Sequence, residues 1–357
     1  MSIYWNSLTK KITPYTAGEQ PKDGKFIKLN TNENPYPPSP KTTEAIINAV
    51  NDKLRLYPDP SCSEFREAAA IRYGVKPEQV FAGNGSDEIL AFAFGAFFET
   101  GTTAEKILFP DISYSFYPVY ANLWSIPFST VPLRDDFSIN INDYKINSGG
   151  VIFPNPNAPT GVLVPLDDVL QLAEFLEGQG RVLILDEAYI AFGGKSIIPY
   201  IGKYKNVLAV HTMSKGASLA GLRFGFAIGS EGLIEGLCRL RDSFNSYTVD
   251  RLALAGAVAV LKDSSYYDEI NSRVALTRQR VIKELHNMGF TVLPSAANFI
   301  FIKTPNINGA DFFAALRKER ILVRHFNKDR IADFVRVSIG TDEQMDIFLE
   351  ACGKIIK

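Results

Sequence analysis

Hydrophobic positions fall into two regimes along this chain. In its middle, short continuous apolar runs alternate with stretches where apolar residues recur every three or four positions. The runs at 106–109, 150–153, 182–185, 207–211 and 224–228 lack polar alternation, as expected of strands covered on both faces. Segment 165–177 sets Leu166, Val169, Leu170, Ala173 and Leu176 on one helical stripe, and Gly178 is the predicted C-cap. Strand–helix alternation of this kind predicts an α/β domain with a mainly parallel sheet and helices on both faces.

From Arg251 the texture changes. Helical patterns at 251–261 and 265–287 are followed by strand-like 298–302, a helix near 310–319, strand-like 321–324 and 333–339, and a last helix. That order predicts a smaller α+β domain. The opening segment carries Pro14, Pro21, Pro35, Pro37, Pro38 and Pro40, too many for a core element. It is expected to be an arm lying over the rest of the protein or over a second subunit. The predicted division is therefore an arm at 1–30, a large domain at 31–260 and a small domain at 261–357.

Composition narrows the class without naming it. The 357 residues are 46% hydrophobic and 22% charged, the balance of an ordinary soluble protein. A net charge of −1 gives no reason to expect nucleic acid or an anionic membrane as partner. The longest apolar run, 89–98, is far too short to span a bilayer. The opening MSIYWNSLTKK lacks a charged start leading into an apolar stretch, so no signal peptide is expected. Cys62, Cys238 and Cys352 are odd in number and far apart, which suits packing roles in a reducing cytoplasm. His211, His286 and His325 show no metal-ligand spacing, and no metal is expected.

Four segments carry the chemistry, and three of them follow apolar runs directly. LDEAY at 185–189 ends a buried run in two acids and a tyrosine, where an acid can pair with a cationic group on a ligand. In TMSKG at 212–216, Lys215 is either a surface charge or a desolvated amine able to attack a carbonyl, and Arg223 follows eight residues later beside permissive glycines. GNGSDE at 83–88 opens an apolar helical pattern, so free N–H groups and the helix dipole favour an anion there; an ordinary N-cap is the plainer alternative. FPNPNAPTG at 153–161 is a rigid loop in which Asn157 can present an amide donor.

Taken together, these strings resemble the fold-type I pyridoxal-phosphate enzymes of the aspartate aminotransferase superfamily. Within it the chain resembles the histidinol-phosphate aminotransferase family, through NENPYP, YPDP, GNGSDE, PNPNAPTG, LDEAY, SKGASLAGLRFG and VRVSIGT. The resemblance covers the chain from Tyr15 onward. It implies a pyridoxal 5′-phosphate cofactor held by Lys215 as a Schiff base, with the same amine later moving a proton. It implies that Asp186 partners the ring nitrogen and that Tyr189 and Asn157 bond the ring's phenolic oxygen. Tyr114 would stack on the ring, with Tyr117 and Tyr120 as nearby rivals. The phosphate would take the backbone N–H groups of Ser86 and Asp87, the Ser214 hydroxyl, Arg223 and, from a neighbouring subunit, Tyr57. Tyr15, Asn157, Arg324 and Arg336 would surround the substrate. A homodimer with shared sites follows if Tyr57 crosses over. Histidinol phosphate and 2-oxoglutarate are the implied substrates. A threonine-phosphate decarboxylase-like lyase and an aromatic amino acid aminotransferase share the same strings. Two departures stand out: Ala158 replaces a common asparagine, and Gly216-Ala217-Ser218 replaces a bulkier stretch.

Overall fold

Thirteen strands organise the chain in a computed structural model that describes residues 2–14, 19 and 24–356. They are β1 (Ile27–Lys28), β2 (Val80–Gly83), β3 (Ile107–Pro110), β4 (Phe128–Val131), β5 (Val151–Pro154), β6 (Leu183–Asp186), β7 (Val207–Thr212), β8 (Gly225–Gly229), β9 (Thr291–Val292), β10 (Phe299–Lys303), β11 (Ile321–Leu322), β12 (Arg324–His325) and β13 (Phe334–Ser338). Seven make the central sheet in the order β2-β8-β7-β6-β5-β3-β4. Only β8 runs against its neighbours, so the sheet is mainly parallel, as the alternation of runs and helices predicts.

Two-residue periodicity splits the side chains of the central strands between two apolar layers. Val151, Phe153, Leu183, Leu185, Val207 and Ala209 face one layer, which includes the buried stripe of helix Leu166–Gly178. Ile152, Ile184, Leu208 and Val210 face the other, against helices Gly85–Phe97 and Tyr117–Trp124. Burial on both faces is why these strands lack polar alternation. The five expected runs all form strands, most of them displaced by one residue. β2 and β4 were not expected. β4, FSTV, is a partly exposed edge strand whose polar pair breaks the apolar run. Helix Leu166–Gly178 also ends differently from expectation. Gly178 is still helical, and the left-handed residue that turns the chain is Gly180 (φ +65°).

A second, antiparallel sheet has the order β12-β13-β10-β9. The single strand expected at 321–324 is in fact two. Ile321–Leu322 pairs in parallel with β1, while Arg324–His325 pairs with β13. Residues 27–29, expected in the arm, thus join this second core, where Leu29 packs with Phe299, Ile321 and Val337. The proline-rich opening also contains a regular helix, Pro40–Ala49. Pro40 occupies its first turn, where no N–H is needed, and Ser39 caps it. Helix Ser7–Lys11 buries no residue. Among the described residues no helix is long and apolar enough to cross a membrane.

Candidate active site

A cavity of about 360 Å³ opens at the carboxyl ends of β3, β6 and β7, where a parallel sheet presents loops to a ligand. The second sheet closes its far side through β12 and β13. Lys215, Asp186, Tyr189, Ser86, Asp87, Tyr114, Ser214, Arg223, Arg324 and Arg336 all line it. Segments far apart in sequence are therefore brought together.

Lys215 follows β7 by three residues, and its Nζ donates to the Thr31 carbonyl at 2.9 Å. Burial, and then the nearby Arg336 guanidinium, pull the amine down to about 8, against the smaller opposing pull of Glu33 and Asp87. A neutral, nucleophilic fraction is thus present near neutral pH. Its backbone is held too. Asn34 donates to the Lys215 carbonyl (3.2 Å), and Asn271 donates to the Gly216 carbonyl (3.1 Å). A Cβ on Gly216 would come within 3.0 Å of the Ala191 Cβ and 3.1 Å of Asn271 Nδ2, so the small residue fits a tight passage.

Asp186, the last residue of β6, is buried. Burial raises its carboxyl to about 6, even though the Ala188 N–H (3.2 Å) and the Tyr117 hydroxyl (3.3 Å) both donate to it. It is still ionised above that pH and suited to a cationic partner in the cavity. The adjacent Glu187 points elsewhere: it accepts from Ser196 and the Ile197 N–H, and His211 Nε2 lies 2.9 Å away.

The third element is a cup for an anion. Helix Gly85–Phe97 begins at the cavity wall, beneath Arg223. Arg223 (φ +53°) donates to Ser214 Oγ and to Asp87 Oδ2, both at 3.2 Å. Two glycines permit this closeness. A Cβ on Gly225 would sit 2.5 Å from Ser86 N, and one on Gly85 would sit 2.8 Å from Arg223 Nη2. Converging N–H, hydroxyl and guanidinium donors are the chemistry of a phosphate site.

Of the three rival tyrosines, the geometry separates Tyr114. It lines the cavity and donates to Asp87 Oδ1 at 2.6 Å. Tyr117 is fully buried behind it, edge-on at 5.7 Å, and Tyr120 is packed in the adjacent core. Tyr189 accepts from Asn32 Nδ2 (3.0 Å) and packs edge-on against Phe299.

Across the cavity, Arg324 and Arg336 are register partners on β12 and β13. Both guanidinium groups lie over Phe326 at 5.6 Å, and Arg336 also lies over Phe299 at 5.2 Å and donates to the Asn30 carbonyl. Two cations thus face one space.

Two expected site residues that the structure describes are not on this wall. Asn157 is completely buried next to it and donates to the Ile112 carbonyl and to Thr160 Oγ1, each at 3.0 Å; its Oδ1 has no hydrogen-bond partner. Tyr57 is 78% exposed and stacks on Tyr247 at 4.6 Å, away from the cavity of its own chain. Tyr15 lies outside the described residues. Several contributors escaped the sequence reading, namely Asn30, Thr31, Asn32 and Asn34, and Tyr117 was named only as a rival for the ring face, not as a partner of Asp186. Asn32 carried a signal of a kind, a polar residue within NENPYP. It is buried at φ +56°, and its N–H donates to Ser338 Oγ at 2.8 Å, tying the start of the large sheet's region to β13.

Comparison with known proteins agrees with this geometry. The family described as aminotransferase class I and II matches residues 24–352. A histidinol-phosphate aminotransferase of Clostridium botulinum (strain Okra / Type B1) is 52% identical over 356 residues, covering 100% of this chain and 99% of that protein. One from Clostridium beijerinckii is 52% identical, covering 98% and 96%. The solved structure of histidinol-phosphate aminotransferase from Sinorhizobium meliloti in complex with pyridoxal-5′-phosphate superposes with a TM-score of 0.88 at 25% identity, covering 100% of this chain and 98% of that one. The chain belongs to the aminotransferase class I and II family, in its histidinol-phosphate aminotransferase branch.

Proposed function

We propose that this protein is a pyridoxal-phosphate-dependent aminotransferase that passes the amino group of histidinol phosphate to 2-oxoglutarate, working in the cytoplasm as a homodimer with shared sites. The observation that carries the reading is the Lys215 amine, held near 8 between a buried carboxylate and an anion cup on one side and two arginines on the other. The residues fit the cofactor's parts. Lys215 suits its aldehyde, Asp186 its ring nitrogen, and the helix start with Ser214 and Arg223 its phosphate. Tyr114 offers a ring face, and the unpaired buried Asn157 Oδ1 marks a polar group beside the ring's place.

When bound, the cofactor supplies an electron sink for a bond broken at the substrate's Cα. Asp186 would keep a proton on the ring nitrogen, and the Tyr117 hydroxyl orients that carboxylate. Lys215 Nζ would take the proton from the substrate's Cα and release it again, a role its lowered basicity suits. Arg336 and Arg324 receive the anionic groups of both substrates: the phosphate of one, the carboxylates of the other. Tyr15 is assigned to the substrate and Tyr57 to the partner's phosphate cup, which the outward position of Tyr57 supports.

The test is a substrate panel with 2-oxoglutarate as acceptor. Histidinol phosphate should be consumed in step with glutamate formation, ahead of aromatic amino acids. Release of CO₂ from threonine phosphate without glutamate would instead establish the lyase.

A further inference from the structure

Six residues beyond Arg324 and six before Arg336, the loop between β12 and β13 reaches across to the large sheet. There Arg330 makes more contacts than a surface arginine needs. It donates to Asp111 Oδ2 (3.2 Å) and to the carbonyls of Leu133 and Arg134 (both 2.8 Å), and lies 5.5 Å over the Phe137 ring. Its backbone takes φ +67°, a region that side chains other than glycine seldom occupy. Lys328 Nζ adds a bond to the Asp111 carbonyl at 2.5 Å.

Asp111 is the hub on the opposite side. Its Oδ1 accepts from the N–H groups of Ile112 (2.8 Å) and Leu133 (2.9 Å), and its own N–H donates to the Val131 carbonyl (2.9 Å). It therefore joins the ends of β3 and β4 and starts the turn that presents Tyr114. Beneath the polar contacts, Ile112, Leu133 and Phe137 pack with Phe301, Ile331 and Phe334. Asp111 and Ile331 also line the cavity.

We propose that Asp111 and Arg330 form a clasp that fixes the distance between the Tyr114 wall and the Arg324–Arg336 wall, and thereby sets the affinity of the site for dicarboxylate anions. Both are positioning residues. The pair itself is partly solvated, with side chains 35% and 26% exposed, so its worth for overall stability is small. Its effect is geometric: one guanidinium held by three acceptors determines where the loop stands, and the loop carries the two strands that hold the cavity arginines. The inference rests on the anion-binding reading of Arg324 and Arg336.

The experiment measures binding of glutarate, a dicarboxylate lacking the keto group, to the cofactor-loaded enzyme through the absorbance of the bound cofactor. The variants are Arg330→Ala, Asp111→Asn, their combination, Arg324→Ala and Arg336→Ala. Asp111→Asn keeps an oxygen for the turn and guards against a folding defect at Arg330. Arg330→Ala, which removes all three bonds, should weaken glutarate about tenfold, Asp111→Asn, which removes one of them, about threefold, and the double variant should lose no more than Arg330→Ala, because the Asp111 contact is already gone in it. KM for 2-oxoglutarate should rise with the glutarate dissociation constant, while kcat and cofactor affinity of Arg330→Ala stay within about twofold. Unchanged glutarate affinity in both single variants, or losses that multiply in the double, would overturn the clasp. Retained glutarate affinity in Arg324→Ala and Arg336→Ala would overturn the anion-binding reading beneath it.

Discussion

On the side of the cavity built by β6, β7 and β8, functional groups sit close to the ends of buried strands: Asp186 closes β6, Lys215 lies three residues past β7, and Arg223 two before β8. On the opposite side, Arg324 and Arg336 ride on a two-residue and a five-residue strand, half exposed, joined by a loop. The first side is held by a doubly covered sheet. The second rests on the four-stranded sheet, where β13 pairs along its whole length with β10 while β12 pairs only at its two residues, and the loop between them is tied further by Arg330.

The largest effect expected from breaking the first side is at Lys215. Lys215→Ala should lower kcat by about ten-thousandfold, the upper range for a removed acid–base group, and still bind the cofactor through Ser214, Arg223 and the helix start. Near-normal turnover would leave Lys215 without a role. Next comes Asp186→Asn, which should cost about 2.7–4 kcal/mol in transition-state stabilisation, the range for one preorganised electrostatic partner. Steady-state kinetics at saturating cofactor separates this from weakened binding.

This contrast also explains what could be read from the sequence. Apolar runs that end in an acid or lead shortly to a lysine are local patterns, and residues of LDEAY, TMSKG and GNGSDE do line one cavity. Tyr117 was legible only as a rival to Tyr114, because its part depends on a hydroxyl reaching Asp186 from 69 positions away in the chain. Strand 321–324 read as continuous because each residue suits a strand; that it splits between β1 and β13 is a tertiary fact. Asp111 and Arg330 looked like ordinary loop charges, since 219 residues separate the partners.

Asp186 further sharpens the comparison through pH. Its carboxyl is at about 6 in the folded chain against an ordinary 3.8, so ionising it inside the fold costs stability. That cost is absent below about 3.8, grows with rising pH and is complete above about 6. The gap corresponds to about 3 kcal/mol. Cofactor-free Asp186→Asn should therefore be more stable than the parent in urea melts at pH 7.5, by up to this amount, with the gain gone near pH 4. A gain independent of pH would show that desolvation of the charge is not its cause.

On the opposite side, Arg336→Ala should weaken 2-oxoglutarate and histidinol phosphate alike by about 1.5–3 kcal/mol, the worth of a charge-assisted bond. An uncharged analogue without phosphate should be much less affected, and equal losses for both would deny Arg336 its anion. The smallest effect is expected at Tyr57→Phe, about 1 kcal/mol in cofactor affinity for a single lost hydrogen bond. Mixing Tyr57→Phe with Lys215→Ala chains should yield hybrid dimers that retain one site with an intact Lys215 and an intact Tyr57. A fully active monomer would rule out sharing.

Borohydride reduction followed by peptide mapping tests whether the desolvated Lys215 amine holds pyridoxal phosphate covalently in this cavity. A pyridoxyl group should appear on the peptide containing Lys215, formed in proportion to lost activity and absent from Lys215→Ala. A modified peptide elsewhere, or no covalent adduct in a fully active enzyme, would contradict it.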